Sequence, residues 1–476
     1  MLRRREKVRN NMTNLIHRVL NFKKMSPAQK IAASFLLVIL TGALLLTLPI
    51  STKDGNFFSP LDALFISTSA TCVTGLSTVT VADTFNLFGQ IVILLLIQVG
   101  GLGLMTFMAV FVLIIRNRLS MNEKIVMKEM LNQDHVVDMK KFLLDILYYT
   151  LFFESLGAVL IAFRMIPHYG LLDGGFKAIF LSISAFCNAG FDTLGSISLQ
   201  GYVHDPLMCF TIMALIILGG IGFAVWFDVR DKIRPLLKKE ISFHKFKQSL
   251  SLHTKIVIIV TILLISIPAL IIMVLEYHNP ATIGNFNIFE KMMTCLFESI
   301  ALRTAGFSTV NYGGLHSATD LLMIGVMFIG GSPGGTAGGI KTTTFAVLVI
   351  YMINVLKGRE KTVVCRRTIG NGIIIRAMGI FFINFITLLT GIFLLNICES
   401  QEFLALAFEA GSAMATVGAT LGITTSLGVG GKLIIIWLMY VGRIGISTLI
   451  LSLTRPKPGL DRSEKVSYPS GNIIVG

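Results

Sequence analysis

The stretch Ser-Ala-Met-Ala-Thr-Val-Gly-Ala-Thr at residues 412–420 decides the fold, because three earlier stretches of the chain repeat its outline. Its glycine, Gly418, is the last of four that follow one another at intervals of 112 to 116 residues. The others are Gly75, Gly190 and Gly306, and each of the four follows an alanine by five positions. A period of this length corresponds to a whole supersecondary unit, so the sequence predicts four copies of one unit around a common axis.

The composition is typical of a protein embedded in a membrane. Of the 476 residues, 54% are hydrophobic and 14% are charged, with a mean hydropathy of +0.76. Soluble domains contain about 25% charged residues. Residues 1–30 are basic and lack the apolar core of a secretory signal peptide. The six cysteines show no metal-ligand spacing, and we expect them to be reduced.

The net charge of +15 is concentrated in five blocks of lysine and arginine. Residues 1–30, 116–141, 230–255, 357–376 and 455–465 hold 33 of the 41 basic residues. Because basic residues accumulate on the cytosolic side of membrane proteins, we predict that both termini and the three loops between them are cytosolic. Anionic lipid headgroups are sufficient partners for such blocks, and nucleic acid is not an expected partner.

Each repeat contains a long apolar run, a short apolar segment that ends at the repeated glycine, and a second long run. About 20 residues cross a bilayer, whereas 10 to 14 indicate a re-entrant segment. Two crossings per repeat make the repeats parallel, which relates them by an axis along the membrane normal. The predicted fold is an all-α integral membrane protein with four helix–pore loop–helix repeats around a pseudo-fourfold pore. The predicted order is a cytosolic N-terminus (1–30), repeat 1 (31–115), repeat 2 (142–229), repeat 3 (254–356), repeat 4 (373–454) and a cytosolic tail (455–476).

The four glycine loops have the composition of a cation selectivity filter. Irregular backbone inside a bilayer leaves polar groups unpaired, and it survives only where it is buried in protein or lines water. Glycine permits positive φ angles, and potassium filters use carbonyl rings from four loops of the Thr-Val-Gly type. Close helix packing is the alternative role for these glycines, and the shared interval argues against it. The predicted filter residues are Val73, Thr74, Gly75, Asn188, Ala189, Gly190, Thr304, Ala305, Gly306, Thr416, Val417 and Gly418.

Arg443 stands in the second run of repeat 4, where the aligned positions Gly101, Gly220 and Gly331 are glycines. An arginine at mid-bilayer costs at least ~2.5–3.5 kcal/mol on insertion scales and normally faces a cavity. At ~5 Å from a passing cation, in an effective dielectric of about 20, it would oppose transit by about 3 kcal/mol. Arg443 is therefore a candidate barrier in the pore, and a structural pin against carbonyls or an acid is the alternative.

A glycine-rich stretch interrupts the second run of repeat 3. Six glycines and a proline cannot sustain a helix, so we predict an intramembrane gating loop over 330–340. It is not a phosphate loop, because Ile340 separates Gly339 from Lys341. With no dinucleotide-binding motif elsewhere, no nucleotide is expected to bind this chain. The predicted gate residues are Gly330, Gly331, Ser332, Pro333, Gly334, Gly335, Thr336, Ala337, Gly338, Gly339, Lys341 and Arg443.

Arg303 directly precedes the third filter segment. Glu298 and Asp192 are both candidate partners for it behind the filter, and the sequence does not choose between them. A scaffold role is the preferred interpretation over direct tuning of the cation.

From about residue 28 to the C-terminus, the loops, the glycine-rich stretch and Arg443 resemble the Trk/Ktr/HKT superfamily of potassium transporters. The best match is to the membrane subunit of bacterial Ktr uptake systems. The resemblance implies K⁺ as the transported ion, sodium stimulation with Na⁺ as a second candidate ion, and a homodimer with one pore per subunit. It also implies that the chain lies in a bacterial plasma membrane. A cytosolic ring of nucleotide-binding RCK subunits is the implied partner. Gly75 is relevant here, because some plant relatives carry serine at this position and pass sodium.

The predicted function is potassium uptake through a carbonyl-lined filter, gated by the intramembrane loop and controlled by cytosolic RCK subunits. We find no nucleophile, general base or metal-ligand cluster in the sequence, so an enzyme is not expected. A Na⁺-coupled secondary cation transporter and a non-conducting membrane anchor for a regulatory ring are the alternatives. The sequence leaves open the K⁺/Na⁺ ratio, the regulatory nucleotide and the dimer contacts.

Overall fold

The computed structural model describes residues 27–103, 139–195, 198–240, 242–359, 361–445 and 449. The expectations for the cytosolic termini, for the basic loop 116–141 and for the last turns of repeats 1 and 4 therefore fall mostly outside the described residues.

Within the described ranges, a long apolar helix opens each of the four repeats. Each of these helices is long and apolar enough to cross a membrane. Large apolar side chains such as Leu44, Phe163 and Val274 are exposed on their outer faces, as expected for surfaces that contact lipid. The helices are Pro27–Thr47, Met139–Tyr169, Leu252–Glu276 and Asn371–Cys398.

A shorter helix, which we call the pore helix, follows in each repeat and ends just before the repeated glycine. The pore helices of repeats 1 and 3 begin at clear caps. Pro60 occupies the first turn after Ser59 in repeat 1, while Asn287 and Glu290 form a capping box in repeat 3. With 13 to 16 residues, these helices are too short to span a bilayer. The pore helices are Pro60–Cys72, Leu171–Phe186, Ile288–Ala301 and Phe403–Ala415.

The second helices end earlier than the apolar runs of the sequence. Gly103 and Gly445 directly follow the helix ends in repeats 1 and 4, and Gly222 follows the helix end in repeat 2 after Ile221, with φ angles of 80°, 83° and 93°. In repeat 2 the chain turns by 98° there and resumes as Phe223–Leu237. The second apolar run of repeat 2 is therefore not one continuous helix, because a glycine in this conformation ends the helix. The second helices are Leu87–Leu102, Pro206–Gly220, Ser317–Met327, which resumes as Thr342–Leu356, and Val429–Ile444.

Glycine also allows the second helices to approach the pore helices closely. A methyl group on Gly100 would lie 2.0 Å from the carbonyl oxygen of Thr71, at the end of the pore helix of the same repeat. The equivalent distances are 1.8 Å from Gly219 to the Phe186 oxygen and 1.9 Å from Gly442 to the Met414 oxygen.

The buried core lies between repeats as well as within them. Ile212 of repeat 2 packs in one cluster with Phe297 and Phe307 of repeat 3. Cys72 of repeat 1 belongs to a second cluster with Ile435 of repeat 4. The repeats therefore form one packed body rather than four separate units.

The remaining elements of the described chain are short connections. A hairpin pairs Val363–Val364 with Arg367–Thr368 in antiparallel register. The others are the helices Val81–Thr84 and Phe243–Ser249 and the 3₁₀ turns Pro49–Ser51, Ser198–Tyr202, Tyr312–Gly314 and Thr424–Ser426.

Candidate ion-conduction site

The four repeated glycines lie side by side in a closed ring. A methyl group on Gly75 would lie 2.6 Å from the carbonyl oxygen of Ala189, in the next repeat. At each of the four glycines, the added methyl group would meet the carbonyl oxygen of the residue that precedes the glycine of the next repeat. The glycine of repeat 4 meets repeat 1 in this way, which closes the ring. The other contacts are Gly190 to Ala305 at 2.6 Å, Gly306 to Val417 at 2.4 Å and Gly418 to Thr74 at 2.1 Å. The four repeats therefore follow one another in chain order around one axis.

The backbone next to each glycine has an uncommon conformation that is the same in all four repeats. The residue two positions earlier is left-handed, with φ of 58° at Val73, 59° at Asn188, 69° at Thr304 and 55° at Thr416. Three of these residues are β-branched, for which positive φ is a genuine outlier. Such conformations cost about 1–3 kcal/mol each and persist where the surrounding structure enforces them, often at functional sites.

The amide groups of these segments are bonded back to the pore helices. In repeat 1, the Val73 amide donates to the Ala70 carbonyl at 3.2 Å and the Thr74 amide to the Ser69 carbonyl at 2.8 Å. The Gly75 amide donates to the Ser69 hydroxyl at 3.1 Å. The other repeats have related bonds, from Asn188 to Ala185 (3.1 Å), Ala189 to Ser184 (2.7 Å), Ala305 and Gly306 to Ala301 (2.9 and 3.3 Å), Thr416 to Ala413 (3.1 Å), Val417 to Ser412 (2.8 Å) and Gly418 to the Ser412 hydroxyl (3.1 Å).

The carbonyl groups of the ring have no such partners. Within the described residues, no hydrogen bond is donated to the carbonyl oxygens of Thr74, Ala189, Ala305 or Val417. Buried backbone acceptors are nearly always paired, so a ring of unpaired carbonyls indicates a place for a ligand that they can bind. The left-handed residues are themselves buried, with at most 1% of each exposed.

The glycine-rich loop of repeat 3 lies against this ring on the side where the pore helices end. A methyl group on Gly338 would lie 2.0 Å from Oγ1 of Thr416, the first predicted filter residue of repeat 4. The two ends of the loop are held together, because the Gly330 amide donates to the Ile340 carbonyl at 2.8 Å. The loop is thus a closed structure placed directly beside the glycine ring.

The loop backbone also bonds to the interrupted second helix of repeat 2. The amides of Ser332 and Thr336 donate to the carbonyls of Gly220 and Gly219, at 3.0 and 3.2 Å. In return, the Phe223 amide donates to the Gly334 carbonyl at 3.0 Å. These bonds occupy backbone groups that the break in the helix leaves without helical partners.

Arg443 lies in the last turn of its helix and connects three repeats. Its guanidinium donates hydrogen bonds to the carbonyl of Thr336 in the loop and to the carbonyls of Gly100 and Gly101 in repeat 1, the last at 3.3 Å. Among the described residues it has no ion pair with an acid. Lys341, at the end of the loop, donates to the Ala337 carbonyl at 2.7 Å. This geometry matches the carbonyl-pin alternative that the sequence left open for Arg443.

Arg303 does not pair with either acid that the sequence offered. It is 3% exposed, and its Nε and Nη2 atoms have no hydrogen-bond partner in the described chain. Glu298 instead accepts hydrogen bonds from Thr309 and Tyr312, while Asp192 accepts them from the Leu194 amide and the Ser198 hydroxyl. Both expected pairs are wrong because each carboxylate is taken up by donors that follow the filter in its own repeat.

The sequence analysis did not predict that the second helices end near Gly103, Gly222 and Gly445. The alignment of the repeats contains a signal for these ends, because the three glycines stand two positions after Gly101, Gly220 and Arg443, which occupy one aligned position. The left-handed residues before the filter glycines carry no comparable signal, since Val, Asn and Thr do not share a preference for positive φ.

A family model described as cation transport protein, TrkH, matches residues 12–460. The chain belongs to the TrkH family of cation transport proteins. It is 38% identical to the Ktr system potassium uptake protein B of Bacillus subtilis, over 98% of this chain and 100% of that protein. It is 37% identical to the potassium/sodium uptake protein NtpJ of Enterococcus hirae, over 95% of this chain and 98% of that protein.

The predicted fold class is confirmed by a solved member of the TrkH family. The crystal structure of the potassium transporter TrkH from Vibrio parahaemolyticus superposes with a TM-score of 0.69. The superposition covers 91% of this chain and 86% of that one, at 18% sequence identity. These relatives are ion transporters, so this TrkH-family member is a membrane transporter and not an enzyme.

Proposed function

We propose that this chain is the ion-translocating subunit of a potassium uptake system and conducts K⁺ inward through the glycine ring. The ring of unpaired carbonyls at Thr74, Ala189, Ala305 and Val417 carries this proposal. Carbonyl oxygens arranged in this way replace the hydration shell of an entering cation. The names of the relatives from Bacillus subtilis and Enterococcus hirae support K⁺ as the ion.

The pore helices add an electrostatic contribution to cation binding. All four end next to the ring, at Cys72, Phe186, Ala301 and Ala415. A helix C-terminus carries about −0.5 elementary charge, so four of them favour a cation at the end of the filter that they approach. The carbonyl oxygens of the predicted filter would replace the water around the cation, and the nearby C-termini of the pore helices would add a negative potential that favours it.

The loop 330–340 and Arg443 form the proposed gate. The loop occupies the position next to Thr416, and Arg443 holds it through Thr336. Conduction then requires the loop to move away from the axis, which breaks the bonds to Gly219, Gly220 and Arg443. Cytosolic RCK subunits that bind nucleotide are the proposed source of this movement.

The remaining parts of the proposal concern assembly and ions. We place the chain in the bacterial plasma membrane as a homodimer with both termini cytosolic. Sodium is proposed to stimulate uptake, and the potassium/sodium relative from Enterococcus hirae makes Na⁺ a second candidate for the transported ion.

Purified protein in proteoliposomes tests the proposal. With a K⁺ gradient and with the cytosolic RCK subunits bound, we expect K⁺ flux that continues without Na⁺ and exceeds flux in protein-free vesicles. Rescue of growth at micromolar K⁺ in a host that lacks its own uptake systems is the cellular counterpart. Flux that requires Na⁺ at a fixed stoichiometry would instead support the coupled transporter, and absence of flux would support the non-conducting anchor.

A further inference from the structure

A buried carboxylate braces the filter segment of repeat 3. Glu298 lies in the pore helix, eight residues before Gly306, and is 1% exposed. Its Oε1 atom accepts hydrogen bonds from the amide and the hydroxyl of Thr309, at 2.9 and 2.8 Å. Its Oε2 atom accepts one from the hydroxyl of Tyr312. Both partners follow the filter glycine, so the carboxylate joins the chain before the filter to the chain after it.

Repeat 4 contains the same arrangement. Glu409 lies in the pore helix, nine residues before Gly418, and is fully buried. Its carboxylate accepts hydrogen bonds from the hydroxyls of Thr420, at 2.8 Å, and Thr424. The two hydroxyl oxygens lie 2.9 Å apart. The return segment of repeat 4 is thus fastened to its own pore helix.

Repeats 1 and 2 carry no carboxylate at the matching positions of their pore helices. Nine residues before the filter glycine they have Ile66 and Leu181, and eight residues before it they have Ser67 and Ser182. In repeat 2 the pore helix is joined to the return segment differently, because the ammonium group of Lys177 donates to the Thr193 carbonyl at 3.0 Å. The pore helices of repeats 3 and 4 thus differ from the other two in carrying a buried carboxylate at this point.

We propose that Glu298 and Glu409 are positioning residues that set the discrimination of the filter between K⁺ and Na⁺. This inference rests on the proposed function. Glu298 accepts three hydrogen bonds and Glu409 accepts two from their return segments, so each brace fixes the distance between pore helix and return segment. A braced segment keeps its carbonyls at the spacing of the larger ion, whereas a relaxed segment can close around the smaller one.

The variants Glu298→Gln and Glu409→Gln test the proposal in proteoliposomes. Glutamine has nearly the same shape and keeps one acceptor oxygen, but its NH₂ group puts a donor where the second acceptor oxygen stood. We expect the ratio of K⁺ to Na⁺ flux to fall about fivefold to tenfold in each variant, because part of the brace is lost. Tyr312→Phe removes a single hydroxyl from outside the filter, so it tests the same brace if a glutamine variant fails to fold.

Glu276→Gln is the matched control. Glu276 belongs to repeat 3, is fully buried and accepts four hydrogen bonds, from Asn279 and Thr282 and from the amide of His316 and the hydroxyl of Thr319. These bonds join the end of the first helix to the start of the second and do not reach the filter segment. We expect this variant to unfold at a lower temperature than the wild type. Its ratio of K⁺ to Na⁺ flux should equal that of the wild type.

The outcomes separate this inference from the proposed function. Wild-type protein that passes no K⁺ defeats the proposed function, and this inference with it. Wild-type K⁺ flux with an unchanged ion ratio in folded Glu298→Gln, Glu409→Gln and Tyr312→Phe defeats only the inference. An equal change of ratio in Glu276→Gln also overturns it, because the effect would then reflect general loss of stability.

Discussion

The guanidinium of Arg443 donates a hydrogen bond to the backbone carbonyl of Thr336, and this contact ties the second helix of repeat 4 to the loop of repeat 3. The same guanidinium reaches the carbonyls of Gly100 and Gly101, at the end of the second helix of repeat 1. A single side chain thereby joins the loop to the second helices of repeats 1 and 4. In the proposed gate, release of the loop requires the loss of the bond between Arg443 and Thr336.

Arg443→Ala should raise cation flux, because it removes every bond through which the side chain holds the loop. Hydrogen bonds from a charged donor contribute about 1.5–3 kcal/mol each, so the loss of one predicts an increase of about tenfold or more. Flux of Rb⁺ into proteoliposomes measures the effect. Unchanged flux in a folded Arg443→Ala protein would contradict any gating role for this residue.

Arg443→Lys distinguishes the two roles considered for Arg443. Lysine keeps the positive charge but lacks the planar fork that reaches several carbonyls at once. If the side chain acts as a pin, Rb⁺ flux should rise nearly as much as in Arg443→Ala. If its charge is the barrier, flux in the lysine variant should stay close to that of the wild type.

Gly338→Ala should displace the loop from the filter. The added methyl group would lie 2.0 Å from Oγ1 of Thr416, which is closer than two such atoms can approach. We expect higher Rb⁺ flux that responds less to the regulatory subunits. Gly325→Ala in the same repeat is the control, since a methyl group there meets no atom within 4 Å. A Gly338→Ala protein with wild-type flux and regulation would argue against the loop as the gate.

Gly190→Ala should reduce K⁺ uptake by more than tenfold. The glycine has a φ of 71°, and a methyl group on it would lie 2.6 Å from the Ala305 carbonyl oxygen. Both the left-handed strain and the collision displace an oxygen of the ring. Growth at micromolar K⁺ is the measurement, with Gly175→Ala in the same repeat as the control, because a methyl group there has no neighbour within 4 Å. Equal growth of the two variants would contradict the role of the ring.

Gly100→Ala should lower stability rather than selectivity. The methyl group would lie 2.0 Å from the Thr71 carbonyl oxygen and would force the second helix away from the pore helix. Overpacking of this kind costs about 1–3 kcal/mol. Thermal unfolding in detergent measures it, against Gly379→Ala on an exposed position of the first helix of repeat 4. Identical unfolding temperatures would show that the contact with Thr71 is readily relaxed.

The fold could be predicted from the sequence because its main signal is a long repeat. The interval between glycines, the short apolar segments before them and the basic blocks together predict four units with two membrane crossings each. The breaks at Gly103, Gly222 and Gly445 were harder to predict, because an isolated glycine in an apolar run is compatible with a continuous helix. Their effect depends on backbone partners, such as the Gly334 carbonyl, that only the folded chain supplies.

The candidate site was predictable in its residues but not in its bonds. The spacing of the loops singles out Gly75 and its counterparts, since that pattern is local in each repeat. The partners of Glu298, Arg303 and Arg443 depend on where side chains point in the packed protein, and several acceptors were available at similar separations in sequence. Charge alone suggested that Arg303 would pair with an acid, whereas Glu298 bonds to the hydroxyl of Tyr312.

A density map of the protein equilibrated with Rb⁺ tests the central claim most directly. We predict Rb⁺ density on the axis, within coordination distance of the carbonyl oxygens of Thr74, Ala189, Ala305 and Val417. Rb⁺ density that lies only away from this axis would contradict the claim that these carbonyls bind the transported cation. The claim would also be contradicted if a protein that transports Rb⁺ showed no density on the axis.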